Sequence, residues 1–122
     1  MWTVYEERNV RGLPVLPEDK AYDAMAQQAA VNGRDPSGLN GYSYGGAVGS
    51  GLSSLDAMYG WMYDDGPGGS NGDCRPGDYS GCWGHREGIL LNCPGRISPG
   101  AHQGYYTVLV VCDKGYWPKY VY

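Results

Sequence analysis

The sequence contains no phenylalanine, few basic residues and no long apolar run. Its 12 Tyr and 4 Trp residues supply every aromatic ring, and their polar groups suit half-exposed surfaces better than a dry core. The net charge of −4 and the scattered basic residues provide no basic patch for nucleic acid or an anionic membrane surface. No apolar stretch reaches the roughly 20 residues that span a bilayer. We therefore expect no nucleic-acid partner and no transmembrane segment.

The sequence also lacks the Cys-x-x-Cys spacing that is typical of zinc sites. Its 4 cysteines allow three pairings, of which we favour Cys74–Cys82 with Cys93–Cys112. By loop entropy each bond would contribute about 2–3 kcal/mol. Disulfides indicate an oxidising compartment. We therefore expect a secreted or extracellular protein whose signal peptide is not in this chain.

The 122 residues fit one domain, residues 1–122, in which the 21 glycines indicate long loops. Apolar spacing and capping residues predict four helices. They are Val4 to Gly12, Glu18 to Val31, a helix starting at Ser53 with an apolar stripe of Leu55, Met58, Tyr59 and Met62, and Gly84 to Asn92.

One segment, Tyr105 to Cys112, has the β-branched composition of a strand buried on both faces. A strand needs partners, which we expect from Arg96 to Ala101 and from Trp117 to Tyr122. The glycine-rich segments Asn32 to Gly51 and Asp64 to Gly81 are predicted to be loops.

Four segments have counterparts, in the same order, in one known family. The first is VYEERNVRGLPVL, in which Arg8, Gly12, Leu13 and Leu16 follow an Asn-x-x-Arg-x-x-x-Gly-Leu-x-x-Leu pattern with Tyr5 in place of Asn. The others are Trp61 with Asp64, the GHREGIL segment that begins at Gly84, and YYTVLVV. Together they resemble the CAP superfamily of cysteine-rich secretory, antigen 5 and pathogenesis-related proteins.

The resemblance implies an α+β fold, an α-β-α sandwich with a small antiparallel sheet between helical layers, long Gly-rich loops and two disulfides. It implies a cleft that contains His85, Asp64, Trp61 and Glu87. Family members often carry two His and two Glu in this cleft, and some bind a divalent metal. Here His85 and Asp64 match two of the four positions, no histidine precedes His85, and His102 is a weak substitute. We therefore expect no cofactor, with Zn or Ca as the minor alternative.

His85 has two interpretations. One is a structural, half-buried histidine that is hydrogen-bonded to Asp64. The other is catalysis, because Ser43 in the Gly-x-Ser-x-Gly of Gly41 to Gly45, Asp64 and His85 follow the order of an α/β-hydrolase triad. Ser43 lies between glycine-rich flanks rather than between a strand and a helix, which argues against the triad.

The acidic loop offers oxygen ligands for Ca²⁺ at Asp64, Asp65, Asn71, Asp73 and Asp78. Their spacing does not match an EF-hand, and a solvated loop is the simpler interpretation. The hypothesis that best fits the sequence is a secreted, monomeric CAP-type binding or interaction module without catalysis, whose ligand is a lipid, a cell-wall glycan or a protein. The alternative is a hydrolase or a divalent-metal-dependent enzyme that uses the cleft around His85 and Asp64.

Overall fold

The computed structural model describes residues 2–37, 39, 44–51 and 53–113. Within them are four helices and three strands. In chain order they are α1 (Trp2–Asn9), α2 (Lys20–Asn32), β1 (Tyr44–Ser50), α3 (Ser54–Tyr63), α4 (Gly84–Ile89), β2 (Gly95–His102) and β3 (Tyr105–Cys112). The α+β class is confirmed. None of the described helices is long and apolar enough to cross a membrane.

The sheet is antiparallel with the order β1-β3-β2, so that β3 lies at its centre. Alternate side chains of β3 point to opposite faces of the sheet. Leu109 and Val111 pack against Ala26 of α2, whereas Val108 and Val110 join the larger core formed with α1, α3 and α4. Helices therefore cover both faces, as the predicted α-β-α sandwich requires.

Local sequence explains the two longer internal helices. The Asp19 side chain accepts a hydrogen bond from the backbone N–H of Ala21 at the start of α2, and Gly33 ends this helix in the left-handed conformation. Ser53 caps α3 by accepting from the backbone N–H of Asp56, as predicted. The predicted apolar stripe of α3 is wrong in part. Leu55 and Tyr59 are exposed, and the buried residues are Ala57, Met58, Trp61 and Met62.

The strand β1 corrects the prediction of a continuous loop from Asn32 to Gly51. Its glycines permit close packing rather than a loop. A Cβ atom at Gly45 would lie 2.5 Å from Cα of Gly88 in α4, and one at Gly49 would lie 2.8 Å from Nε1 of Trp61 in α3. The other partner of β3 is β2, close to the predicted Arg96 to Ala101. The predicted partner Trp117 to Tyr122 lies outside the described residues.

Both disulfides join the favoured pairs, Cys74–Cys82 and Cys93–Cys112. The second is buried in the core and links the segment before β2 to the end of β3. The first closes part of the loop between α3 and α4, which borders the cleft described below. The part of this loop from Cys74 to Cys82 is therefore closed by a disulfide, as the sequence predicts.

The short helix α4 is fixed at both ends by buried charged side chains from elsewhere in the chain. Its 6 residues are too few for a helix that is stable by itself. Asp65 accepts hydrogen bonds from the backbone N–H groups of the second and third residues, His85 and Arg86, at 2.9 and 3.1 Å. Arg8 donates to the carbonyl oxygens of Ile89 and Leu91 at the other end, at 2.9 and 2.8 Å. The negative charge at the N-terminus and the positive charge at the C-terminus also suit the helix dipole.

Candidate functional site

A cleft with a volume of about 310 Å³ opens beside the outer edge of β1. Its walls are the segment after α2, the face of α3 around Gly60, the start of the following loop, and α4. Of the four predicted cleft residues, Trp61 and His85 line it. Asp64 and Glu87 are not among the described residues that line it. Both lie at half-buried positions close by.

His85 contributes both ring nitrogens to hydrogen bonds with carboxylates. Nδ1 lies 2.8 Å from Oδ1 of Asp65, and Nε2 lies 3.1 Å from Oδ1 of Asp35. The predicted partner, Asp64, is wrong by one residue. Asp64 follows α3 and accepts instead from the backbone N–H of Ser70 at 3.1 Å, within its own loop.

Asp65 is the buried member of this group, with 1% of its surface exposed. One carboxylate oxygen caps α4 through two backbone N–H groups, and the other orients the His85 ring. Trp83, at the N-cap position of α4, makes no side-chain cap bond. The N-terminal cap of α4 is therefore Asp65, a residue distant from the helix in sequence. A search for local capping patterns cannot find such a cap.

Asp35 was not predicted. It lies two residues after Gly33, which ends α2. Its Oδ1 atom, which is hydrogen-bonded to His85, also accepts from the backbone N–H of Val48 at 2.8 Å. Asp35 and His85 are 50 residues apart in sequence, and no local pattern connects them. Asp35 thus joins α4 to the outer edge of β1.

These carboxylates hold His85 in its cationic form. Burial alone would lower its pKa, but the hydrogen bonds and charges of Asp35 and Asp65 outweigh this effect and raise the pKa from 6.5 to about 10. At neutral pH both ring nitrogens therefore carry protons and donate. A histidine in this state cannot accept a proton as a general base.

This pKa leads to a prediction for stability. Because the pKa is higher in the folded chain, the stabilising contribution is complete below pH 6.5 and is lost as the pH rises through about 10. Asp35 is 43% exposed, so solvent screening reduces the effect, and we expect a loss of roughly 2–4 kcal/mol across this window. Urea unfolding at several pH values measures it. In a His85→Gln control the corresponding slope should disappear, and an equal slope in both proteins would contradict the assignment.

The cleft also brings together three groups that could ligate a cation. Polar atoms of Asp35, Asp73 and His85 all lie within 4.8 Å of one another. Asp73 is positioned by Asn71, which accepts from the Asp73 backbone N–H and donates to the carbonyl oxygens of Asp65 and Gly81. A carboxylate on the far ring nitrogen, as Asp65 provides, is a common arrangement behind a metal-bound histidine.

Among the described residues, the other predicted sets are at most partly brought together. Ser43 lies outside the described residues, and Asp64 does not hydrogen-bond to His85, so Asp64 does not complete the Ser–Asp–His triad. His102, at the end of β2, is not among the described residues of the cleft. Of the five predicted calcium ligands, Asp65, Asn71 and Asp73 line the cleft, and Asp64 and Asp78 do not.

The geometry therefore assigns His85, Asp35, Asp65 and Asp73 to one polar site, with Trp61 in its wall. Similarity to known proteins adds no further assignment: neither a family model nor a curated protein matches this chain.

Proposed function

We propose that this chain is a non-catalytic, CAP-type binding module that acts outside the cytoplasm and takes its ligand in the His85 cleft. The observation that carries the proposal is the pair of hydrogen bonds from the His85 ring to Asp65 and Asp35. With both nitrogens engaged, the histidine has no lone pair for a substrate proton. It serves instead as a fixed cation that organises the carboxylates of the cleft.

The character of the cleft favours a polar ligand. Aspartate, serine and asparagine side chains line it beside Trp61 and Tyr105. Hydroxyl-rich or charged groups suit such walls, whereas an acyl chain would desolvate the exposed carboxylates of Asp35 and Asp73 without offering them hydrogen bonds. Among the three ligand classes expected from the sequence, a glycan or a protein therefore fits this cleft better than a lipid.

A lipid has a more suitable cavity elsewhere. A separate cavity of about 390 Å³ is also bordered by Trp61 and is lined largely by apolar groups, including Val4, Met58, Tyr106 and Val108. None of the described residues around it is acidic. If a lipid binds with an affinity that does not change when Asp35 is substituted, the lipid therefore occupies this cavity and not the proposed site.

Action outside the cytoplasm is supported by the two disulfides. Such bonds persist in oxidising compartments and are rare where thiol systems keep cysteines reduced. The CAP resemblance of the segments around Arg8 and His85 supports the same location.

Glycan, lipid and protein arrays probed with the intact chain test the proposal. We expect a glycan or protein ligand whose binding falls at least roughly tenfold in His85→Ala and in Asp35→Asn. Asp78→Asn is the matched control, because this exposed aspartate does not line the cleft. Circular dichroism confirms folding of each variant. Only lipid binding, or a ligand that is insensitive to both substitutions, would overturn the proposal.

A divalent-cation site is the second candidate, and the convergence of Asp35, Asp73 and His85 within 4.8 Å favours it. These residues fit an ion such as Zn²⁺, which would supply Lewis-acid chemistry when bound. Binding would require His85 to release the Nε2 proton that it shares with Asp35. Calorimetry with Zn²⁺ or Ca²⁺ at neutral pH distinguishes the candidates: tight uptake that is lost in Asp73→Asn supports the ion, and no heat supports the cationic histidine.

A further inference from the structure

The two edges of the sheet differ in how they are covered. The outer edge of β2 is covered by the segment before α2, because the Ile97 N–H donates to Pro17 and the Ile97 carbonyl accepts from Asp19. The outer edge of β1 has no such strand among the described residues. Val48, Gly49 and Ser50 of this edge line the cleft instead. An uncovered edge strand is a template for pairing with another chain.

The hydrogen bond of Asp35 shows which backbone groups of β1 point outward. The Val48 N–H donates to the Asp35 carboxylate and hence points away from β3. Because backbone groups alternate along a strand, those of Gly46 and Ser50 point outward with it. The faces of Gly46 and Gly49 are already packed, against Pro36 and against Trp61 and Ala57, so an added strand would reach this edge at Val48 and Ser50.

The walls next to this edge carry negative charge. Four aspartates line the cleft, namely Asp35, Asp56, Asp65 and Asp73, and none of its described lining residues is lysine or arginine. Among the described lining residues, the group that carries positive charge is His85, which is held by Asp35 and Asp65. The formal charge of the lining remains negative even with His85 protonated. Such a cleft concentrates cations and disfavours acidic ligands.

Because no described strand pairs with this edge of β1 and the cleft beside it is acidic, we infer that the ligand is an extended peptide that adds to β1 as a further strand. It places a lysine or arginine side chain among Asp35 and Asp73. This rests on the proposed function and specifies its ligand. A peptide carbonyl takes over the Val48 N–H, and the Asp35 carboxylate, released from that bond, pairs with the incoming cation. Main-chain hydrogen bonds supply affinity and the acidic pocket supplies specificity, as in other cases of strand addition.

A position-scanned library of short capped peptides tests the inference. Each pool fixes arginine, lysine, alanine or glutamate at the centre, and binding to the intact chain is measured by fluorescence polarisation. We expect the arginine and lysine pools to bind at least roughly tenfold more tightly than the alanine and glutamate pools. N-methylation of the backbone next to the central residue should abolish binding, because it removes the main-chain donor.

Variants locate the bound peptide. Binding of the arginine pool should weaken roughly tenfold in Asp73→Asn and in the double variant that also carries Asp35→Asn. Asp78→Asn, which changes the charge by the same amount as Asp73→Asn, should leave the binding of this pool unaltered. Equal binding of the glutamate pool, indifference to N-methylation, or no binding by any pool would overturn the inference. If a glycan binds with the Asp35 dependence stated above while no peptide does, the binding module stands and the peptide inference fails.

Discussion

Replacing Arg8 with methionine is expected to lower the free energy of unfolding by about 3–5 kcal/mol. Arg8 is 2% exposed. Its guanidinium donates to the carbonyl oxygens of Pro14, Ile89 and Leu91. Burial lowers its pKa to about 10, so the group is still charged at neutral pH. Methionine preserves the length of the side chain but leaves three carbonyl groups without these donors.

Equilibrium urea unfolding measures this effect, and Arg34→Met is the control because residue 34 is exposed. The control should change stability by less than about 0.5 kcal/mol. Since Arg8 caps the C-terminal end of α4, the His85 ring should also become less ordered in the variant. A stability within 1 kcal/mol of the parent would show that the Arg8 bonds do not fix this helix.

Replacing Asp65 with asparagine is expected to cost about 2–4 kcal/mol and to lower the pKa of His85. Asp65 accepts hydrogen bonds from the backbone N–H groups of His85 and Arg86 in the first turn of α4 and from Nδ1 of His85. An amide keeps one acceptor oxygen and adds a donor that faces these N–H groups. Urea unfolding and an NMR titration of His85 report the two effects separately.

The adjacent residue is the control for this experiment. Asp64→Asn removes the same charge one position earlier, where the described partner of the carboxylate is the Ser70 backbone N–H. We expect less than about 1 kcal/mol for Asp64→Asn and an unchanged His85 titration. If Asp64→Asn shifts the titration and Asp65→Asn does not, the structural assignment of the partner is wrong.

The elements that sequence reasoning predicted well are those whose determinants are local. Asp19 and Gly33 delimit α2, Ser53 caps α3, and the β-branched run from Tyr105 identifies the central strand. The favoured disulfide pairing, one of three possible, is also present and joins cysteines 8 and 19 residues apart. In each case residues that are close in sequence favour the observed structure strongly enough that it can be predicted without knowledge of the rest of the fold.

The strand β1 could not be predicted in this way. A glycine-rich segment normally indicates a loop, and only the packing of α4 and α3 against Gly45 and Gly49 explains why this one is a strand. The same limit applies to the site. His85 and Trp61 were found from their motifs, but Asp35 reaches His85 through the arrangement of distant segments. The choice of Asp65 over Asp64 depends on which side chain the end of α3 turns inward.

The proposed site depends most on His85 being a cation held by two carboxylates. An NMR pH titration of the imidazole carbons in the intact chain tests this most directly. We expect no titration near pH 6.5, a midpoint near pH 10, and a lower midpoint in Asp35→Asn. A midpoint near 6.5 in the parent chain would contradict the account, because a neutral His85 at physiological pH would be free to accept a proton or bind a metal ion.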